Sequence, residues 1–257
     1  MTTQKRTITA TVITLNEERN IEACIQSFYS IVDEIIVVDS GSTDRTQRLA
    51  ESAGATVIEQ PYLGDGPQKA VGAEFAKNDW ILSIDADERL GEDAIREIGL
   101  LDLSDKNKAY AFWRKNFVGS HWIKAAGFYP DYVTRLYNRL TAAYSPNQAH
   151  AKVIGGKITR CNSYIEHYTY QDYTHWMTRI NELSTRDAWS KYNEGQRSTP
   201  AGAVVRSGFA FFKKLFLKGG VMQGSDGWLI AITTAMHVYM KYLKLSELHD
   251  QRKDAEE

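Results

Sequence analysis

The stretch "WILSIDADERL", residues 80–90, decides how the rest of the chain is read. Trp80, Ile81, Leu82 and Ile84 form an apolar run of the kind a buried strand carries. Asp85, Asp87 and Glu88 then follow, with only Ala86 between the first two. A core strand that ends in three carboxylates needs neighbours of the same type before it. Working outward, "TITATVIT" (7–14), "EIIVVDS" (34–40) and "ATVIEQ" (55–60) are short β-branched or apolar runs. Between them lie helical patterns. "NIEACIQSFYSI" (20–31) sets Ile21, Cys24, Ile25 and Phe28 on one face. "STDRTQRLAESAG" (42–54) opens on capping residues and stops at Gly54, and "GPQKAVGAEFAKN" (66–78) carries Pro67 in its first turn. The order β-α-β-α-β-α-β with short connections predicts a mostly parallel sheet covered by helices on both faces.

Beyond a further helix in "EDAIREIGLLDL" (92–103), the pattern changes. "AYAFWRKNFVG" and "YVTRLYNR" read as aromatic-rich strands, which predicts a mixed or antiparallel extension of the sheet. From Asp172 onward the pattern is helical. The expected division is an α/β catalytic domain over residues 1–170 and a helical C-terminal extension over 171–257.

Bulk properties exclude several classes. A formal net charge of -1 gives no electrostatic case for nucleic-acid binding. Two distant cysteines, Cys24 and Cys161, make neither a disulfide framework nor a zinc site. The start "MTTQKRTITATVI" has no long apolar run of the signal-peptide type, so the reducing cytosol is the expected compartment. Neither a Walker A loop nor a G-x-G-x-x-G fingerprint occurs, which disfavours triphosphate hydrolysis and dinucleotide redox chemistry.

In open α/β sheets, ligands bind outside the carboxyl ends of the strands. Asp39 ends the second strand, and Asp85 and Asp87 end the fourth, so all three are expected at one crevice. Clustered carboxylates repel one another unless something positive lies among them. A hard divalent ion carrying a phosphate group satisfies that need. The bland alternative is a set of solvated acids at helix starts.

Four blocks in order, "VITLNEERNIEACIQSF", "EIIVVDSGSTDRT", "GPQKAVGAEFAKNDWILSIDADE" and "YPDYVTRLYNR", resemble the family 2 glycosyltransferases over roughly residues 7–140. The "DSGSTD" form, "YPD" and the basic, aromatic tail resemble more narrowly the bacterial lipopolysaccharide core heptose β-1,4-glucosyltransferases. The resemblance implies a GT-A type, Rossmann-like fold with a mixed central sheet. It also implies a UDP-sugar donor, Mg²⁺ or Mn²⁺, a saccharide or glycolipid acceptor, and inversion at the anomeric carbon. By the same resemblance, Thr14, Leu15 and Glu17 line the base and ribose pocket, and Asp39 accepts from the uracil ring. Lys69 stands near the base and diphosphate, Asp85 meets ribose or a metal-bound water, and Asp87 is the metal ligand. Where many relatives carry a second acid after Asp39, this chain has Ser40, which leaves base recognition open.

An inverting transfer needs a carboxylate that takes the acceptor's proton. Asp131 in "GFYPDYVTRLYNR" is the candidate, with Phe128, Tyr129 and Tyr132 expected to wall it; a turn Asp after Pro130 is the plainer reading. Arg135 is a candidate for an anionic group or for an ordinary pair with a surface acid. His150 in "NQAHAKV" is a candidate metal ligand or diphosphate contact. "GSHWIKAAG" (119–127) is expected to be an acceptor loop, with Trp122 to stack on a sugar and Gly119 and Gly127 as hinges.

"AVVRSGFAFFKKLFLKG" (203–219) contains no acid and has a two-sided helical pattern, cations on one arc and Val205, Phe209, Phe212, Leu215 and Phe216 on another. That is the pattern of an in-plane membrane-surface helix. "WLIAITTAMHVYMKYLKL" (228–245) is apolar but carries His237, Lys241 and Lys244, too polar for a span. The expectation is membrane-surface contact through 203–245 at the inner face of the cytoplasmic membrane. The alternative is packing on the catalytic domain or on a second subunit in a homo-oligomer. A polyprenyl-phosphate acceptor and a metal-dependent nucleotidyltransferase are the other functional readings. The second usually has a glycine-rich loop after the first strand, where this chain has "LNEERN".

Overall fold

The computed structural model describes residues 7–125, 128–146 and 151–256, without the side chains of 252–256. The chain forms two compact units, Met1–Lys115 with Asp131–Tyr168, and Asn116–Pro130 with Thr169–Glu257. The second boundary falls two residues before the expected one at 170. The segment 116–130, which the sequence left inside the catalytic domain, belongs with the C-terminal helices.

The first unit opens with the alternation the sequence announces: β1 (Ile8–Thr14), α1 (Ile21–Phe28), β2 (Glu34–Asp39), α2 (Thr46–Ser52), β3 (Thr56–Glu59), α3 (Asp65–Phe75) and β4 (Trp80–Asp85). Then come β5 (Glu88–Leu90), α4 (Glu92–Leu100), β6 (Lys108–Val118), β8 (Tyr132–Asn138), β9 (Ala142–Tyr144), β10 (Val153–Gly155) and β11 (Lys157–Tyr170); β7 (His121–Trp122) and the ends of β6 and β11 fall within the second unit. The main sheet runs β3-β2-β1-β4-β8-β6-β11-β5, with β7 paired to β6, while β9 and β10 pair separately. β1 is parallel to β2 and β4. β8 is antiparallel to both β4 and β6, so the sheet is mixed as expected.

The helical periodicity is realised in the core. Ile21, Cys24, Ile25 and Phe28 of α1 are all fully buried, packed with Ile8, Ala10 and Val12 of β1 and Leu82 and Ile84 of β4. Cys24 is thus the buried thiol its spacing predicted, and burial together with the nearby carboxylates pushes its pKa well up. Gly54, at φ +91°, follows the end of α2 as a left-handed cap.

In the second unit, α5 (Tyr173–Asn193) starts where Asp172 accepts the His175 N–H at 2.7 Å. α6 (Pro200–Phe212) starts with the Thr199 hydroxyl accepting from Gly202 N–H at 3.1 Å and Pro200 in its first turn. A π-type turn (Lys213–Leu217) and a short 3₁₀ turn (Gly220–Gln223) lead into α7 (Gly224–Glu256), which extends the expected 228–245 helix at both ends. Its own core joins Val118, Ile123, Ala125, Trp176, Ile180 and Ile230.

Candidate active site

Register brings the strand-end acids together. Thr14 lies opposite Asp39 on one side of β1, and Ile13 lies opposite Asp85 on the other. Strands sit about 4.8 Å apart, so the backbones of the two acids flank β1 at about 10 Å from each other. This is the carboxyl edge of the parallel part of the sheet, where ligands of such folds bind.

The loops after β1 and β2 are tied to each other. Asn16, with φ +54°, donates its N–H to Ser42 Oγ at 2.8 Å and accepts from Thr43 N–H at 2.8 Å. Glu17 N–H reaches Thr46 Oγ1 at 2.8 Å, and the Glu17 carboxylate accepts from Asn20 at 2.7 Å. Leu15 stands half-exposed beside them, while Thr14 is buried. Asp39 is fully buried and engaged by its own loop. Its Oδ1 accepts from Gly41 N–H (3.0 Å), Ser42 N–H (2.7 Å) and Gln47 Nε2 (2.8 Å), and its Oδ2 accepts from the Ser42 hydroxyl (2.5 Å). Ser40, at the place of the missing second acid, accepts from Gln68 at 3.1 Å.

Lys69 is buried on α3 rather than solvated. A Cβ on Gly72 would lie 3.0 Å from Thr11 Cβ, so this glycine lets α3 approach β1 closely. One turn earlier on α3, Lys69 is buried, and its Nζ lies 2.6 Å from Asp85 Oδ1 and 5.2 Å from the centre of the Tyr144 ring.

From Asp85 a chain of ion pairs continues. Arg135 Nη2 lies 2.5 Å from both Asp85 Oδ2 and Glu88 Oε1, and Arg135 Nη1 donates to the Tyr144 hydroxyl at 3.2 Å. Arg114 Nη1 lies 3.3 Å from the same Glu88 oxygen, and its Nε and Nη2 donate to Asp131 Oδ2 at 2.9 and 2.7 Å. Arg135 is therefore paired with one fully buried acid, Glu88, and one partly exposed acid, Asp85. Burial alone would raise the pKa of Asp85, but Arg135 and Lys69 outweigh it and hold the carboxyl well below its ordinary range. Arg135 is raised well above its ordinary value for the reciprocal reason: Asp85 and Glu88 overcome a desolvation cost. Exposure sorts the members. The side chains of Asp85, Asp87 and Asp131 keep 23, 24 and 26% of theirs, and those of Arg135 and Glu88 keep 4 and 0%. The first three can meet a ligand, and the last two hold the frame.

Asp131 thus has a guanidinium against it. Of the aromatics expected to wall it, Phe128 packs on Trp176 (5.9 Å), Tyr129 meets Trp122 edge-on (5.7 Å), and Tyr132 lies under Arg160 (4.8 Å). In the second unit, the segment from Gly119 begins as a β6–β7 hairpin. His121 Nε2 and the Lys124 N–H both contact the Asp226 carboxylate, at 2.8 and 2.9 Å. Gly127 and His150, the candidate hinge and candidate metal ligand, lie outside the described residues.

Asp87 meets a residue the sequence reading missed. β5 pairs antiparallel with β11, placing His167 opposite Glu88, and His167 Nε2 lies 3.2 Å from Asp87 Oδ2. Burial would lower the His167 pKa, yet Asp87 prevails and raises it. One carboxylate and one imidazole side by side fit a divalent ion that takes its remaining ligands from phosphate oxygens and water. No group of three or more His, Cys, Asp or Glu side chains placed to hold a metal occurs among the described residues. Asp85 does not join the pair, because Lys69 and Arg135 already take it. The signal for His167 was a histidine next to Glu166 in the β-type run "YIEHYTY", which only the β5 pairing makes meaningful.

A mixed sheet in this strand order, with acids at the ends of β2 and β4, defines a GT-A type transferase. Residues 9–168 match Glycosyl transferase family 2, and the chain belongs to that family. It is 32% identical over 254 residues to an uncharacterized glycosyltransferase of Rickettsia bellii, covering 94% of this chain and 86% of that protein. It is 28% identical over 260 residues to the lipopolysaccharide core biosynthesis glycosyltransferase LpsC of Rhizobium meliloti, covering 95% and 94%. Among solved structures, the glucosyl-3-phosphoglycerate synthase of Mycobacterium tuberculosis, in complex with Mn²⁺, UDP and glucosyl-3-phosphoglycerate, aligns over 45% of each chain. There the identity is 30% and the TM-score 0.34, so the fold assignment stands on the strand order instead.

Proposed function

We propose that this family 2 glycosyltransferase is an inverting enzyme that moves a hexose, glucose by preference, from a UDP-sugar to a lipopolysaccharide-core saccharide. The observation that carries the reading is the unbroken chain of contacts Lys69–Asp85–Arg135–Glu88–Arg114–Asp131. It ties the first acid of the Asp-x-Asp stretch to the candidate base within one unit. The similarity to LpsC supports the core-saccharide acceptor.

In this reading the loops carrying Thr14, Leu15, Glu17 and Asp39 hold the nucleoside. Recognition of uracil by Asp39 would require the Ser42 hydroxyl to turn off Oδ2. Lys69 and Asp85 address the diphosphate and ribose. Asp87 and His167 would hold Mg²⁺ or Mn²⁺, with His150 a further candidate from sequence alone. Such an ion would supply positive charge to the departing diphosphate. The acceptor hydroxyl attacks the anomeric carbon from the face opposite the diphosphate. As the new C–O bond forms, its proton passes to Asp131, and the bond to the diphosphate breaks with its electron pair leaving on UDP. Arg114 keeps the Asp131 carboxylate in place through two hydrogen bonds to Oδ2. Contact with a membrane surface through 203–245, at the inner face of the cytoplasmic membrane, would bring the enzyme to a lipid-borne acceptor.

Asp131→Asn tests the assignment. Glucose transfer from UDP-glucose should fall by about 10²–10⁴-fold, while UDP-glucose with Mn²⁺ still raises the melting temperature. Unchanged turnover removes Asp131 from the role. If no nucleotide sugar stabilises the wild type with any ion, the donor assignment falls. Transfer to polyprenyl phosphate in preference to core saccharide would redirect the acceptor.

A further inference from the structure

We infer that one edge of the C-terminal unit, formed by α6, the turns after it and the first turns of α7, is a docking surface for an anionic lipid bilayer. The inference rests on the membrane-contact reading above and narrows it to a patch, a lipid chemistry and a mode of contact. Residues 195–225 contain no Asp or Glu and carry Arg197, Arg206, Lys213, Lys214 and Lys218. In the fold, most of the large apolar side chains of this stretch stay outside. Val205 is 71% exposed, Phe209 60%, Phe212 49%, Phe216 51% and Met222 89%.

The positions 205, 209, 212 and 216 recur at helical spacing, so these side chains share one face of α6 and its continuation. On α7, Trp228, Ile232 and Met236 follow at intervals of four and are also exposed. The two helices are joined: Ser207 Oγ donates to Ala235 O at 2.9 Å, and the Phe211 and Trp228 rings lie 6.0 Å apart. Leu215, by contrast, is turned in and 1% exposed. The exposed residues therefore form a second apolar face, left over after the unit has packed its own. Contiguous apolar surface of that kind marks an interaction site.

Charge selects the occupant. Lys213 and Lys218 are exposed in the same stretch as the aromatic face, and no ion pair to either is found among the described residues. Burial and the neighbouring Lys218 and Lys213 lower the pKa of Lys214, a sign that the cluster repels itself. A second copy of the chain docking through this patch about a two-fold axis would set the lysines of the two copies against each other. Anionic headgroups relieve that repulsion while the Phe side chains enter the acyl boundary. No helix of the described residues is long and apolar enough to cross a membrane, so the contact lies in the surface plane.

Flotation of the full chain with phosphatidylcholine vesicles, with and without 30% phosphatidylglycerol, is the test. We expect binding to the anionic vesicles only, weakened by salt. Lys213→Glu with Lys218→Glu should reduce binding at least twenty-fold, since each cation near a charged surface contributes about five-fold. Phe209→Ser with Phe212→Ser should also reduce it, with circular dichroism unchanged. Wild-type protein that fails to float with anionic vesicles, or binding indifferent to both variants, overturns the proposal. So does a dimer, seen by sedimentation, that the Phe209→Ser, Phe212→Ser variant dissociates. UDP-glucose stabilisation with Mn²⁺ is measured alongside. Its loss with vesicle binding intact would count against the donor reading alone.

Discussion

Charge is used in opposite ways in the two units. In the first, three acids and three cations alternate from Lys69 to Asp131, and the central members, Arg135 and Glu88, are almost without solvent. In the second, the five cations over residues 195–225 meet no acid within that stretch, which also carries the exposed aromatics Phe209, Phe212 and Phe216. Buried charge must find its partner within the fold because the desolvation cost is otherwise unmet. Exposed charge is under no such demand and can be kept for a partner outside.

The largest expected effect breaks the first arrangement. Arg135→Met leaves Asp85 and Glu88 facing each other without their shared guanidinium and should cost about 3–5 kcal/mol in urea unfolding. A loss under 1 kcal/mol would mean that the chain of pairs does not hold the frame. Replacing an exposed cation of the other unit, as in Lys213→Met, should change stability by less than about 0.5 kcal/mol.

Packing differs in the same sense, and two glycines sharpen it. Gly72→Ala pushes a methyl against Thr11 and Val38 and should destabilise by about 1–3 kcal/mol. Gly208→Ala, on α6 with nothing within 4 Å of the added Cβ, should stabilise by about 0.5–1 kcal/mol. Matched signs in thermal melts of the two variants would contradict the contrast.

The smallest effect concerns pH. Burial lowers the pKa of His237, and Lys241 and Arg186 add to it, against the pull of Asp187 at 3.1 Å. The folded state therefore binds fewer protons than the unfolded one near pH 6. Stability from this group is fully present above the unfolded histidine value of about 6.5 and is lost as pH falls toward the lowered folded value. His237→Gln should remove a few tenths of a kcal/mol from the difference in stability between pH 7.5 and 5.5. An unaltered difference would show that His237 does not titrate differently on folding.

Much of this organisation was legible beforehand. The first four strands and three helices follow from period and punctuation, and their alternation already implied that Asp39, Asp85 and Asp87 would face one crevice; that Asp39 and Asp85 flank β1 came from the strand order. What escaped was non-local. β5 is three residues long and carries no period of its own; it exists because β11, more than seventy residues later, pairs with it. With it escaped His167, whose place beside Asp87 is invisible without that ladder. Arg114 was read as part of a strand, and only the β6–β8 register sets it against Asp131, seventeen residues away. The segment 116–130 was placed in the catalytic domain, with 119–127 as an acceptor loop or hairpin; it begins as a β6–β7 hairpin, and its apolar residues Val118, Ile123 and Ala125 pack with Trp176, Ile180 and Ile230.

By itself the amino-acid order determined the α/β alternation, the acid-tipped strands, the family and the acid-free tail, because each is written in neighbours within a few turns of chain. Which cation meets which carboxylate was decided only by the tertiary structure, since an ion pair depends on a separation of a few ångströms that sequence distance does not encode. The same holds for the aromatics of α6. Their period announced an amphipathic helix, but only packing against α7 settled that Leu215 turns inward and Phe209, Phe212 and Phe216 remain outside.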